Sequence, residues 1–440
     1  MVFANCMAGV WFGKMGAGFM SYLGELRDNA RPLAAASMGS ASGLMVAAFT
    51  TSVFSPFVMA EFHWARAQFA ILGVTIFAAL LVMPFIGKWT DRYGVRSMAL
   101  IGVLGLPLCF LAYSFQTGSF YVFMAISASV LVIGSFTTPP VYARLVAHNF
   151  DTARGLALFV VMGAPALMGI VMPRLLLAIC EEWGWRWGYR ALGLYFLIGG
   201  LVAVALIPKA VDAVVKADAP VQALPPEAAF RHIIRQPAFW FIAAAMMLCV
   251  LPTQLHAAQM MLMLQDRGLS GVDAANAMSA FAFGSFIGRG VCGLALDRFA
   301  AAKVAAVSMV LPAIGYVVIA LNPGMSGLII GAMVLVGLSY GAENDLPSFL
   351  VARYFPLAVF SSVMALVYCG VMVSSASGAF ALRAALKAYD SFAPFMLLAA
   401  GGTLLGSLVF LGLLRVRGGS DRLGIVTAPT PTPPRKGRGF

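Results

Sequence analysis

Charge is scarce in this chain: Asp, Glu, Lys and Arg make up only 10% of its 440 residues. A water-soluble fold of that length typically charges about a quarter of its residues to cover its surface, so a soluble globular protein is excluded. Histidine is scarcer, with four residues. The six cysteines (Cys6, Cys109, Cys180, Cys249, Cys292, Cys369) form no Cys-x-x-Cys pair and no Cys/His cluster. They read as small buried hydrophobes, with no metal and no disulfide framework to expect. No Gly-x-x-x-x-Gly-Lys-Ser/Thr phosphate loop is present, and no hydrolase elbow. Neither an enzyme nor a cofactor is therefore expected. The first 30 residues lack a basic start followed by an apolar run, being broken by Gly9, Gly13, Lys14, Gly16 and Gly18, so they do not read as a secretory signal.

What the chain has instead is apolar length. Hydrophobic residues reach 61% and mean hydropathy is +0.91, so its outer surface must face lipid. A bilayer-spanning helix takes about 20 apolar residues. Hydropathy places twelve such spans near 34–57, 67–87, 97–115, 120–146, 153–179, 189–208, 237–264, 274–296, 302–321, 326–351, 357–381 and 392–414. The expected fold is an all-α membrane protein of twelve transmembrane helices in two six-helix halves. The parts are an interfacial segment 1–33, a first half 34–208, a polar proline-broken linker 209–236, a second half 237–415 and a basic disordered tail 416–440.

The halves repeat each other. Gly87, Asp91, Arg92 and Tyr93, in the polar run Gly87-Lys88-Trp89-Thr90-Asp91-Arg92-Tyr93-Gly94, fall 206 positions before Gly293, Asp297, Arg298 and Phe299. Leu145-Val146-Ala147 falls 205 positions before Leu350-Val351-Ala352. Two separate matches at nearly one offset indicate a duplicated half of roughly 200 residues. The polar run itself reads as a tight loop between spans 2 and 3, and Glu181–Gly188 as the loop between spans 5 and 6.

Of the 29 basic residues, 21 lie on the side of the spans that holds both termini and the linker, seven lie on the other, and Arg289 falls inside a span. Basic loops stay in the cytoplasm, so both termini are expected inside, with the protein multi-pass in the cytoplasmic (inner) membrane. The net charge of +12 is then topology, and nucleic acid is not an expected partner. A monomer in the lipid bilayer is expected.

Twelve spans, a long linker after span 6 and a Gly-x-x-x-Asp-Arg-x-Gly loop after span 2, echoed after span 8, resemble the major facilitator superfamily over about residues 34–415. The resemblance implies a secondary transporter whose halves rock about a substrate held at the midplane. The runs Gln265-Asp266-Arg267-Gly268-Leu269-Ser270, Gly284-Ser285-Phe286-Ile287-Gly288-Arg289-Gly290 and Trp183-Gly184-Trp185-Arg186 look like the monocarboxylate and oxalate/formate branch. In that branch an arginine of span 8, matched here by Arg289, contacts the substrate carboxylate. The chain departs from the pattern in having Ser285 where an aspartate is common one turn earlier, and no lysine from Pro356 to Leu382, which argues against a small dianion.

The candidate residues follow. Arg289 lies eight residues before Asp297, about 12 Å along the helix, and an intramembrane arginine is costly without water, a partner or a ligand. It either contacts an anionic substrate, snorkels to the surface or pairs with span 10. Tyr142, His256, Gln259 and Ser285 are the other expected substrate contacts. Gln254 and the span 1 residues Ser37, Ser40, Thr50 and Thr51 lie nearby. Hydrogen bonds to a helix backbone are the alternative for the hydroxyls, and a plain helix contact for His256. Glu343 and Asp345 are the candidates for binding a proton, with Glu343 first because Pro347 leaves its carbonyl without a donor. A structural pair with Arg289 or Arg353 is the alternative. Pro139-Pro140 in span 4 and Pro347 in span 10 weaken both helices at related depth. Gly87, Asp91, Arg92, Gly94, Gly293, Asp297 and Arg298 form the expected conformational gate, in which each aspartate pairs with a loop arginine in one conformation only. The expected function is proton-coupled symport of a small organic anion, a monocarboxylate, by alternating access. The alternatives are a proton-driven exporter of apolar or cationic compounds, with an acid of span 10 as the cation contact, and a transport-dead sensor.

Overall fold

The computed structural model describes residues 24–416 apart from 139–140, 143–144, 147–148, 151–152, 209–232, 344 and 357–358. Among the described residues every regular element is helical. A segment crossing lipid must satisfy its own backbone N–H and C=O groups, and runs of Ala, Leu, Val, Phe and Gly do so as helix. Eleven helical segments are long and apolar enough to cross a membrane. Arg66–Val82 is a shorter apolar stretch whose helix continues as Ile76–Tyr93 and makes the twelfth span.

Six spans are single helices: span 3 (Val95–Ser114), span 5 (Arg154–Trp183), span 6 (Trp185–Leu206), span 8 (Gly271–Arg298), span 9 (Ala301–Leu321) and span 11 (Phe360–Tyr389). Span 12 is Ala393–Gly412 with a short extension. The others are interrupted. Span 1 runs Ala30–Ala41, Leu44–Thr50 and Ser55–Phe62, with the 3-10 turn Thr51–Phe54 before its last piece. Span 7 runs Pro237–Val250, the π turn Leu255–Gln259 and Met260–Asp266. Span 4 is Phe120–Gly134 passing into the 3-10 turn Ser135–Thr137. Span 10 is Ser326–Glu343 and then Leu346–Tyr354, with Pro347 in the first turn of the second piece.

These interruptions fall in register with the sequence repeat. Thr51 plus 206 is Ala257, inside the π turn of span 7. Thr137 plus 206 is Glu343, the last residue of the first helix of span 10. Pro139 and Pro140 lie outside the described residues. Paired interruptions at matching places in two repeats put irregular backbone, with carbonyls and side chains free to bind, where the repeats face each other.

Two expected loops are mostly helix. Gly87–Tyr93 continues the helix of span 2, and the chain turns at Gly94 alone, whose φ is +85°. Glu181–Trp183 ends span 5 and Trp185 starts span 6, with Gly184 between them at φ +87°. The backbone keeps its ladder of helical hydrogen bonds beyond the apolar layer, and one residue with left-handed φ suffices to reverse the chain. Gly293, Asp297 and Arg298 likewise belong to the end of span 8. At its start, Ser270 caps the helix by accepting from the backbone N–H of Asp273 at 3.1 Å, as an N-cap serine does.

Span 6 packs on spans 1 and 3, and span 12 packs on spans 7 and 9. Between the first six spans and the last six, span 5 lies against span 8 and span 11 against span 2. Spans 8 and 10 cross closely. Gly284 and Gly288 face Gly337 and Gly341, and a β-carbon at any of the four would overlap backbone of the opposite helix. Small residues four apart on both helices allow that approach.

Candidate functional site

Arg289 follows Gly288 on span 8, so the tight crossing carries it against the interruption of span 10. Its Nε lies 3.1 Å from Asp345 Oδ2, and its Nη1 donates to the carbonyl of Met162 in span 5. The guanidinium thus joins spans 8 and 10 to span 5 of the other half. Glu343 is half-buried and forms no hydrogen bond or ion pair among the described residues. It lies within electrostatic reach of Cys249, Tyr316 and Tyr340. The partner of Arg289 is therefore Asp345 and not the first-ranked Glu343. Two residues apart, the acids point to different sides, and the helix stops between them.

A second group sits at the interruption of span 7. Pro252 supplies no backbone donor, and three residues later the π turn begins that carries His256 and Gln259. The His256 ring lies nearly parallel to that of Tyr316, with Nε2 2.8 Å from the Tyr316 hydroxyl. Its Nδ1 is buried with no hydrogen-bond partner among the described residues. Gln259 Nε2 donates to the carbonyl of Arg66 at 3.3 Å, and its Oε1 is buried with no partner. Gln254 Nε2 donates to Ser375 Oγ of span 11 at 2.9 Å. Thr51 Oγ1 donates to the carbonyl of Ala257 at 3.0 Å and to its own Ala47 carbonyl at 2.8 Å. Since 51 and 257 are equivalent positions of the repeat, that bond joins the two halves where their matching interruptions meet. Thr50 bonds its own helix, to the Val46 carbonyl.

The halves also meet on the way to the end opposite the termini. Phe49 of span 1 packs its ring on Phe281 of span 8 and Tyr340 of span 10, each at 5.9 Å between centroids. Beyond that cluster, Arg66 Nη1 lies 2.8 Å from Asp266 Oδ1 and its guanidinium 6.0 Å from the Phe392 ring. Asp266 also pairs with Arg267 at 2.8 Å and accepts from Ser391 Oγ and the Phe392 N–H. Within the first half, Glu61 of span 1 accepts from the indole of Trp185 at 2.5 Å and pairs with Arg186 at 2.7 Å.

At the termini end, Asp297 and Arg298 are exposed and form no ion pair among the described residues. The side chains of Asp91 and Arg92 lie outside the described ones, as do the linker residues 209–232. Tyr142 and Ser285 stand apart from the His256 group. Tyr142 is buried against Gly39 in an apolar cluster with Ala36 and Val161, its hydroxyl without a partner among the described residues, as are the buried hydroxyls of Ser37 and Ser40. Ser285 is buried in the crossing of spans 8 and 10, where its carbonyl lies against Gly341.

Sequence reasoning missed Arg66, Met162, Tyr316 and the glycine crossing. The crossing had a signal, the Gly-x-x-x-Gly spacing at 284/288 and 337/341. Met162 acts through its carbonyl, which no side-chain pattern marks.

The family model described as Major Facilitator Superfamily matches residues 36–275. The chain belongs to the Major Facilitator Superfamily. Members of this superfamily are membrane transporters and not enzymes. An MFS-type transporter of Aspergillus fumigatus is 28% identical over 137 residues, a match that spans 31% of this chain and 31% of that relative. A crystal structure of a bacterial homolog of the human lysosomal transporter Spinster, inward-facing and unoccupied, aligns with a TM-score of 0.63 at 15% identity. It covers 87% of this chain and 98% of that one, a likeness of fold alone.

Proposed function

We propose that this chain is a proton-coupled symporter of a small organic anion, a monocarboxylate, in the cytoplasmic membrane with both termini inside. Arg289 carries the proposal. It is a largely buried cation at the contact of spans 5 and 8, and its ion pair with Asp345 can be exchanged for a substrate carboxylate. Arginine meets a carboxylate with two parallel hydrogen bonds. An arriving anion displaces Asp345 from the guanidinium, and the released acid takes up a proton in a site with little water. Substrate and proton then raise each other's affinity. Asp345 takes the coupling role from Glu343 because it is the acid in contact with Arg289.

The contacts at Phe49, Arg66 and Asp266, together with an Asp297 that forms no ion pair among the described residues, support an inward-facing state, in which a gate pair at Asp297 forms when the halves rock back. A second reading, export of cationic or apolar compounds, draws on Glu343, an acid with no cation partner among the described residues.

Uptake into proteoliposomes distinguishes the two. A panel of radiolabelled monocarboxylates and lipophilic cations is offered with and without a pH gradient. Carboxylate accumulation that follows the gradient and is lost in Arg289→Gln supports symport. Cation flux that is lost in Glu343→Gln but kept in Arg289→Gln replaces it with export.

A further inference from the structure

Spans 1 and 7 are interrupted at equivalent repeat positions, and the Thr51 hydroxyl touches the Ala257 carbonyl there. A π turn inserted in a helix recurs at functional sites, because the extra residue re-aims side chains and frees backbone groups. This one presents His256 and Gln259, which are 6% and 0% exposed, each with a buried polar atom that has no partner. Buried polar atoms are almost always hydrogen-bonded, because one left bare keeps the full loss of its contact with water. Two of them, three residues apart on one turn, are unexplained by the packing.

We propose that His256 Nδ1 and Gln259 Oε1 form a hydrogen-bonding subsite for an uncharged hydroxyl of the transported solute. When the Tyr316 hydroxyl donates to Nε2, the ring proton sits on Nδ1. Nδ1 then offers a donor and Gln259 Oε1 an acceptor. A hydroxyl accepts from the first and donates to the second, so one group satisfies both atoms. Among the described residues no charged group pairs with either atom: the Arg66 guanidinium is taken by Asp266, Gln259 donates to the Arg66 carbonyl, and Glu343 lies within reach of Tyr316 and Tyr340. The rings of Phe281, Tyr316 and Tyr340 around His256 favour an aromatic body. Phe281 is eight residues, about 12 Å of helix, before Arg289, so the subsite and the guanidinium are separate places. Resting on the reading of Arg289 as the carboxylate contact, the solute class is a hydroxyaryl carboxylate.

The test is transport of a matched pair, para-hydroxyphenylpropionate and phenylpropionate, by full-length protein in proteoliposomes. The wild type should prefer the hydroxylated compound by at least about tenfold in kcat/KM, the worth of one good hydrogen bond. Gln259→Leu and His256→Phe should each bring that ratio toward one, whatever the overall rate, whereas Arg289→Lys should weaken both compounds together. Equal handling of the pair by the wild type overturns the subsite while leaving the carboxylate reading intact, as it would if these atoms hold only water. An unchanged ratio in both variants overturns it likewise. Failure of the wild type to carry either compound or any simpler carboxylate overturns the carboxylate reading and the subsite with it. If the variants do not purify as single species, the wild-type ratio alone decides.

Discussion

Arg66 at the start of span 2 and Asp266 at the end of span 7 are 200 residues apart and meet at 2.8 Å. Their ion pair ties the first six spans to the last six at the end opposite the termini. The Arg66 side chain is 37% exposed, so solvent screening limits the pair to at most about 1 kcal/mol.

That limit makes the pair a bias on conformation. Arg66→Gln should raise the population open at that end by up to about fivefold. Thr51→Cys, in a background with the native cysteines replaced, then reacts correspondingly faster with an impermeant thiol reagent added to that side. An unchanged labelling rate would show that the Phe49–Phe281–Tyr340 cluster seals the end unaided.

The crossing of spans 8 and 10 should tolerate no side chain. Gly288→Ala and Gly341→Ala each push a methyl into a carbonyl of the opposite helix, an overpacking that costs about 1–3 kcal/mol. Thermal unfolding in detergent should fall by several degrees for each. A melting temperature within one degree of the wild type would mean the helices separate freely there.

Arg289→Gln should abolish uptake of anionic substrate in protein that still folds. Arg289→Lys should restore only part of it, since an ammonium lacks the fork of two parallel donors. Asp345→Asn mimics the protonated acid, so it should keep exchange between two loaded sides and lose accumulation driven by a pH gradient. If Asp345→Asn still concentrates substrate and Glu343→Gln does not, the coupling site is Glu343.

The two gate aspartates should act on turnover. Asp91→Asn and Asp297→Asn should lower the maximal rate several-fold while substrate affinity, read by equilibrium binding, changes little, because the proposed pairs would form in one conformation only. Normal turnover in both single variants and in the double variant removes these residues from the cycle.

Orientation is checked by Ala300→Cys, in the turn after span 8, and Met325→Cys, in the turn after span 9. The basic excess places the first inside and the second outside. Impermeant reagent reaching Ala300→Cys from outside intact cells would invert the topology.

Much of this was legible in the sequence. Scarce charge and twelve apolar runs make a lipid-facing all-helical chain necessary, because only internal hydrogen bonding satisfies a backbone in lipid. The repeat of Gly87, Asp91 and Arg92 at Gly293, Asp297 and Arg298 exposes the duplication, and one arginine inside span 8 singles itself out by its cost there. Which acid meets that arginine was not legible. Glu343 and Asp345 are equivalent by composition, and only the break of span 10 and the glycine crossing turn Asp345 toward Arg289. Nor do Arg66, Met162 and Tyr316 carry any local signal. They matter through contacts made by residues 60 to 200 positions apart, and such distances close only when the spans pack. Local chemistry settles whether a segment becomes helix and lies in lipid. Which polar atoms meet, and which remain bare, depends on how the helices are set against one another.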